Sequence, residues 1–134
     1  MSQSMPIRIQ PRLKSAPKIR QLYWCDFPKD AQLPEFWKRR PVVVISYKNT
    51  LYGAVTIIPC TTSPPKDDDP YSKKWAFPLH TTIDNKNGWA ICDKPTTVAV
   101  SRLLPNRTGT KRMPNDEFNN LLSLVLEWLP RLNS

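Results

Sequence analysis

Short apolar runs separated by turn-forming residues cover most of the chain. The clearest runs lie at residues 22–27, 41–47 and 54–60, and a Lys-Asn-Thr turn at 48–50 separates the last two. Runs of this length that are rich in β-branched and aromatic residues predict β-strands. The run at 41–47 carries consecutive valines followed by an isoleucine, which is typical of a strand buried on both faces.

The middle of the chain carries more turn signals than strand signals. Residues 63–70 combine prolines with consecutive aspartates, a composition that predicts an exposed, mobile loop. A strand is predicted at 75–80, where a proline restricts it to a sheet edge or a bulge. Another strand is predicted at 89–92, after an Asn-Lys-Asn-Gly turn at 85–88. Residues 98–104 fit a short helical turn as well as a strand.

A helix is predicted near the C-terminus, from Asn115 to the proline at position 130. Asn115 suits the N-cap, and Asp116 and Glu117 suit the first turn, where the helix dipole favours negative charge. Further leucines and a tryptophan widen the apolar band, so we expect this helix to cap a barrel or to pack on a second subunit. The main apolar face comprises Phe118, Leu121, Leu122, Val125 and Leu129.

These elements predict one mostly β domain with a C-terminal helix, folded as a small, strongly bent sheet or barrel. Its predicted limits are 21–134, and a chain of 134 residues suits a single core. Residues 1–20 hold five basic and no acidic residues and show no hydrophobic period, so we expect a flexible basic tail. Such a tail is either a solvated segment or an arm that binds nucleic acid.

Composition narrows the functional classes. The formal net charge of +9 favours a polyanionic partner, either nucleic acid or an acidic protein. No apolar run approaches the roughly 20 residues of a membrane span, and no secretory signal is evident. The spacing of Cys25, Cys60 and Cys92 fits neither a disulfide framework nor a C-x-x-C metal site. We therefore expect reduced, mostly buried cysteines in a cytoplasmic protein with no membrane partner.

Several catalytic schemes lack their residues. His80 is the only histidine, which excludes a two-histidine acid–base pair. The chain has only three glycines and no Walker motif, which excludes a glycine-rich phosphate-binding loop. It also has no G-x-S-x-G motif of serine hydrolases and no H-E-x-x-H motif of zinc proteases. The aspartates at 67–69 are expected to form a solvated acidic loop. We therefore expect neither a metal site nor a cofactor.

Four motifs recur in the order expected of one known family. They are Y-W-C-D-F at 23–27, R-P-V-V-V-I-S at 40–46, P-C-T-T-S at 59–63 and V-A-V-S-R-L at 98–103. Together they resemble the MazF/PemK family of toxin ribonucleases from bacterial toxin–antitoxin pairs. The resemblance runs from about residue 22 to residue 129 and leaves out the basic tail.

This resemblance implies an SH3-like barrel that forms a homodimer, binds an antitoxin protein and cleaves single-stranded RNA (mRNA) sequence-selectively without metal. By position, Arg40 and Thr61 correspond to the family's catalytic pair. Arg40 would stabilise the charge of the transition state, and Thr61 would orient the attacking ribose 2′-OH. Glu35 aligns with a family glutamate and is the better base on acidity. The expected RNA-binding residues are Phe36, Trp37, Lys38, Arg39, Thr62, Ser63 and Arg102.

The first loop departs from the family pattern, because proline, phenylalanine and tryptophan replace its glycines and serine. Phe36 and Trp37 are expected to stack on bases, to plug the core or to contact a partner. Arg102 is expected either to bind loop carbonyls or to line the RNA groove. The altered loop also supports an alternative function, a non-catalytic nucleic-acid- or protein-binding module such as a transcription modulator or topoisomerase poison. A structural role in a ribonucleoprotein rests on charge alone.

Overall fold

The computed structural model describes residues 5–132; residues 1–4 of the predicted tail and residues 133–134 of the predicted domain lie outside them. The helices are α1 Pro70–Trp75 and α2 Asn115–Trp128, and a 3-10 turn covers Val100–Arg102. The strands are β1 Gln21–Asp26, β2 Arg39–Val44, β3 Ala54–Thr61, β4 Ala76–Pro78, β5 Trp89–Ile91, β6 Thr96–Ala99, β7 Leu103–Leu104 and β8 Lys111–Arg112.

The strands form one antiparallel sheet in the order β4-β5-β3-β2-β1-β7, with β6 added to β3 and β8 to β1. The chain passes from β6, at the edge of β3, through the 3-10 turn to β7, at the edge of β1. The connection itself therefore brings the two sides of the bent sheet together without a strict, fully hydrogen-bonded barrel. The predicted fold class, a mostly β barrel-like domain with a C-terminal helix, is confirmed.

Both faces of the central strands are buried. Val42 and Val44 join an inner cluster around Tyr23 and Ile57, whereas Val43 joins an outer cluster under α2. Successive side chains of a strand point to opposite faces, so one continuous apolar strand supplies both clusters. The prediction that this strand is buried on both faces is confirmed, although it begins at Arg39 and ends at Val44 rather than covering 41–47.

The C-terminal helix covers the outer face with Phe118, Leu121 and Val125, as the apolar spacing predicts. Its predicted cap is wrong: Pro114 occupies the N-cap position, and Asn115 is already helical. Leu129 was predicted on the buried face, but it follows the last helical residue and is 38% exposed. Because the helix ends at Trp128 and Leu129 is extended, Leu129 does not continue the buried helical face.

Glu117 is a buried carboxylate in the first turn of α2. It accepts hydrogen bonds from the His80 and Thr81 amides at 2.6 and 3.1 Å and from the Thr81 hydroxyl at 2.6 Å. These bonds tie the helix to the segment between β4 and β5.

The segment after β3 differs from its prediction. Its end is the short helix α1, where Asp69 caps the first turn by accepting a hydrogen bond from the Ser72 amide at 3.2 Å, and Pro70 follows at the first position. An Asp-Pro pair suits a helix start, because the carboxylate satisfies a free amide and proline has none to satisfy. Trp75 is therefore helical and buried, and the predicted strand 75–80 is reduced to Ala76–Pro78.

The second half of the predicted tail lies against the barrel. Leu13 is buried in the inner cluster, and the Arg12 guanidinium donates to the Asp26 carboxylate at 2.9 Å and the Ser101 carbonyl at 3.1 Å. The Arg20 amide donates to the Val44 carbonyl at 2.8 Å. The mobility of the tail stays a prediction, but the contacts of the barrel begin before residue 21.

The cysteine thiols are free and buried, as expected. Burial raises the pKa of Cys25 and of Cys92 to about 12 and raises that of Cys60 as well. A thiol that resists ionisation is a poor nucleophile. Across residues 5–132, no helix has the length and apolar character needed to cross a membrane.

Candidate active site

Arg40 and Thr61 lie at the same end of neighbouring antiparallel strands. The ladder between β2 and β3 pairs Val44 with Ile57 and Val42 with Pro59. The last pair of this ladder is Val42 with Pro59, and the same register continued by two residues would bring Arg40 opposite Thr61. Because side chains two residues apart share a face, Arg40 and Thr61 lie on the face of the sheet that carries the inner cluster, near the same strand ends.

Arg40 is half-buried beside the β1–β2 loop. Its Nε donates to the Trp37 carbonyl at 3.2 Å, and its guanidinium carbon lies 5.0 Å from the centre of the Phe36 ring. Burial lowers the pKa of Arg40, yet an arginine stays protonated at neutral pH. Because Nε makes the carbonyl bond, both Nη nitrogens are available for two oxygens of a phosphate.

Thr61 is fixed through its backbone. It pairs with Trp89 of β5, and a Cβ on neighbouring Gly88 would lie 2.9 Å from the Thr61 carbonyl oxygen. Only glycine fits such a close approach without displacing the strand. The Thr61 hydroxyl accepts a hydrogen bond from the Ser63 amide at 3.1 Å, which leaves its own proton to donate.

Glu35 lies at the tip of the β1–β2 loop and is exposed. Its Oε1 accepts a hydrogen bond from the Gln32 amide at 2.7 Å, and its own amide donates to the Gln32 carbonyl at 2.7 Å. The carboxylate thus stabilises a local turn. Its role as a base stays a prediction.

The aromatic residues of the loop differ from each other. Phe36 is partly buried against the inner cluster, with its ring centre 5.8 Å from that of Phe27. Trp37 is 49% exposed, and the Lys38 ammonium lies 5.2 Å from its ring centre. The contacts of Phe36 support the plug hypothesis, whereas Trp37 presents its ring to solvent.

Asp26 brings two of the predicted RNA-binding arginines together. Its carboxylate accepts from Arg39 Nε at 2.8 Å, and its carbonyl accepts from Arg102 Nη1 at 3.3 Å. The hydrogen bond from Arg39 is the main reason that the pKa of Asp26 is lowered. Arg102 therefore binds the carbonyl of the last residue of β1, and it also lines the cavity under the loop. Its expected contact with RNA stays a prediction.

Open cavities lie on both sides of Lys94. A cavity of about 910 Å³ lies under the β1–β2 loop and includes Phe36 and Arg102 in its wall. A cavity of about 450 Å³ lies beside Thr61 and Ser63. Because Lys94 lines both, the two form neighbouring parts of one groove. Its wall is of mixed charge, with Lys66, Lys94 and Arg102 beside Asp30, Glu35, Asp69 and Asp93.

Asp93 and Lys94 belong to this site, and the sequence analysis did not select them. Asp93 is buried and lines the cavity beside Thr61, with its carboxylate 3.6 Å from the Lys94 ammonium. Its hydrogen bond raises the pKa of the Tyr71 hydroxyl, which lines the same cavity. The available signal was a charged pair directly after a short buried strand.

Not every predicted site residue lies in this groove. Arg39 precedes Arg40 in β2, so its side chain points to the opposite face of the sheet, where it lines another cavity. Thr62 lines a narrow cleft there with Trp24 and Pro41. In the part of the chain that the structure describes, no three His, Cys, Asp or Glu side chains are grouped as metal ligands.

Solved structures similar to this chain share its fold. MazF from Deinococcus radiodurans is 19% identical with a TM-score of 0.63, and the match covers 84% of this chain and 94% of that one. An endoribonuclease from a mycobacterial species is 16% identical with a TM-score of 0.59, covering 84% and 90%. A mycobacterial endoribonuclease in complex with its cognate antitoxin is also 16% identical with a TM-score of 0.59, covering 87% and 100%.

No curated protein sequence matches the chain significantly. The family described as PemK-like, MazF-like toxin of type II toxin–antitoxin system matches residues 18–129. That match spans most of the 134 residues and includes every motif on which the resemblance was based. The chain belongs to the PemK-like, MazF-like toxin family of type II toxin–antitoxin systems.

Proposed function

We propose that this protein is the toxin of a toxin–antitoxin pair and cleaves single-stranded RNA sequence-selectively without a metal ion. The observation that carries the proposal is that Arg40 and Thr61 lie at the same end of neighbouring antiparallel strands, with a groove and a buried carboxylate beside Thr61. The endoribonuclease activity named for the two mycobacterial relatives supports it.

In the proposed reaction, the ribose 2′-OH loses its proton to a base and its oxygen attacks the adjacent phosphorus, and the bond from phosphorus to the 5′ oxygen breaks. The products are a 2′,3′-cyclic phosphate and a free 5′-OH, whose oxygen takes its proton from water. The two Nη nitrogens of Arg40 would bind the phosphate oxygens, where charge accumulates in the transition state. One such preorganised donor contributes about 2.7–4 kcal/mol to lowering the barrier.

The 2′-OH proton requires a base, and two carboxylates are candidates. Glu35 is exposed on the loop above the larger cavity, and Asp93 is buried beside Thr61. Thr61 would hold the 2′-OH or a phosphate oxygen, since its hydroxyl has too high a pKa to act as the base. Substituting each carboxylate by its amide separates them, because only the loss of the true base should remove the acidic limb of the pH–rate profile, in which the rate rises as the base loses its proton.

The proposal also includes protein partners and a cytoplasmic location. An acidic antitoxin would fit the net charge of +9. A homodimer is supported by exposed apolar residues near the end of α2, where Leu126 is 56% exposed and Trp128 is 38% exposed. Sedimentation equilibrium that gives a monomer at tens of micromolar would argue strongly against the dimer.

The non-catalytic alternative is supported by the β1–β2 loop, where Phe36 packs on Phe27 and Glu35 bonds to Gln32. These contacts within the loop compete with any contact that Phe36 or Glu35 would make with RNA during cleavage. Tight RNA binding with no cleavage would favour this alternative.

The test is to incubate the purified protein with a long RNA of mixed sequence in EDTA and to map the new ends. We expect cuts at a recurring sequence that leave cyclic phosphates and 5′-OH ends. Cleavage restored only by added Mg²⁺ would rule out the proposed mechanism.

A further inference from the structure

A second basic cavity lies on the opposite face of β2 from Arg40. It has a volume of about 340 Å³. Its wall contains three cationic side chains, Arg39, Lys86 and Arg107, and the indole of Trp24. A cavity that combines several cations with one aromatic face suits a single-stranded nucleic acid, whose phosphates and bases need these two features.

The cavity is held in shape by Asp84. Its Oδ2 accepts a hydrogen bond from Trp24 Nε1 at 2.7 Å, and its Oδ1 accepts from the Thr108 amide and hydroxyl, each at 3.3 Å. Asp84 thereby joins β1 to the loops on either side of the cavity. Its negative charge offsets part of the positive charge of the wall, and Arg39 is paired with Asp26 at 2.8 Å, so the field for a ligand comes mainly from Lys86 and Arg107.

Trp24 presents its ring rather than its N–H group. The indole N–H is already bonded to Asp84, and the residue is half-buried. Leu104 is its partner in the ladder between β1 and β7 and lines the same cavity. A fixed indole face beside an aliphatic wall is a platform on which any base can stack.

The second cavity is close to the candidate active site along the strands. Trp24 is the ladder partner of Pro41, which follows Arg40 in the chain. The gap between Thr62, Pro41 and Trp24 on this face has a volume of only about 10 Å³, too little for a nucleotide. An RNA strand bound at Arg40 and Thr61 would therefore reach the second cavity by passing around the end of β2.

We propose that this cavity binds a nucleotide that flanks the cleaved bond, with its base on Trp24 and its phosphates at Lys86 and Arg107. The proposal deepens the proposed ribonuclease function and rests on it. An acidic peptide would meet the same cations, but the fixed indole face of Trp24 between them favours a nucleotide, which has a base to stack.

The experiment compares the affinity of fully 2′-O-methylated RNA oligonucleotides, which cannot be cut because the nucleophile is blocked. A short oligonucleotide covers the candidate active site, and longer ones add a few nucleotides at the 5′ or the 3′ end. We expect one of the two extensions to raise the affinity about tenfold, and an abasic nucleotide in that extension to remove most of the gain. The variants are Arg107→Gln and Lys86→Gln, whose side chains are exposed. The control is Lys48→Asn, beyond the other end of β2.

Each cavity variant should cut the gain from the extension about threefold or more and reduce the salt dependence of binding by roughly 0.7 log units per lost phosphate contact. Lys48→Asn should leave the gain unchanged. An equal gain in all variants would overturn the proposal. The same variants are also titrated with an acidic peptide, and a loss of peptide affinity with unchanged RNA affinity would overturn it as well. If the parent cuts no RNA but the extension still gains affinity through Arg107, the cleavage proposal fails and the nucleotide site stands.

Discussion

The interior of β2 and β3 differs sharply from the ends of the same two strands. In the interior, Val43 and Ile58 are fully buried, and both faces of the sheet are covered. A few residues further, Arg40 and Thr61 are half-buried and keep polar atoms available to a ligand. The strands thus fix the position of groups that they do not enclose.

This difference teaches how a small fold can hold polar side chains in position for a ligand. The register between β2 and β3 is specified by side chains on both faces, because a shift by one residue would exchange the two clusters. Arg40 and Thr61 lie in the same two strands, just beyond the paired residues, so this register sets their relative position. Substitutions in the interior should therefore affect stability, and substitutions at the ends should affect chemistry.

The largest effect is expected for Val43→Asp. Val43 has no exposed surface, so the new carboxylate would be buried without a partner and should cost more than about 5 kcal/mol, enough to unfold a typical domain. Tyr47→Asp, at a site that is 76% exposed just beyond β2, is the matched control. Circular dichroism checks both, and a folded Val43→Asp would contradict the two-sided burial.

A smaller effect is expected for Leu13→Ala. Leu13 is 8% exposed and packs in the inner cluster, so its truncation should lower the free energy of unfolding by about 2–3 kcal/mol. Ile9, which is 64% exposed, provides the control substitution to alanine. Equal denaturation midpoints for the two variants would show that the segment before residue 21 does not contribute to the core.

The smallest effect concerns Asp26 and pH. Its pKa is lowered chiefly by the hydrogen bond from Arg39. A carboxyl group with a lowered folded-state pKa contributes stability above its unfolded pKa of about 3.9, and this contribution is lost as the pH falls through the folded value. We therefore expect the stability of the parent to fall more steeply below about pH 4 than that of Asp26→Asn.

Urea denaturation at several pH values measures this difference. Asp30→Asn, in the exposed part of the β1–β2 loop, should keep the slope of the parent. Parallel curves for the parent and Asp26→Asn would mean that the ion pair with Arg39 does not stabilise the fold.

The sequence predicted the parts of the molecule whose signal is local. β2 was evident from consecutive β-branched residues, and the short motifs selected Arg40 and Thr61, whose catalytic role stays a prediction. The helix α1 was missed because Trp75 is its only buried residue and its cap lies in an acidic, proline-rich stretch. Asp93 and Lys94 were missed because only the pairing of β5 with β3 brings them beside Thr61.

The most direct test of the account is the single-turnover cleavage rate of the parent, Arg40→Ala and Thr61→Ala, measured beside the affinity of each for a 2′-O-methylated RNA. We predict that each substitution lowers the rate by about 10²–10³. We also predict that the affinity changes by less than about threefold, since distributed phosphate contacts hold most of the RNA. Cleavage by Arg40→Ala as fast as by the parent would contradict the assignment of the chemistry to the ends of β2 and β3.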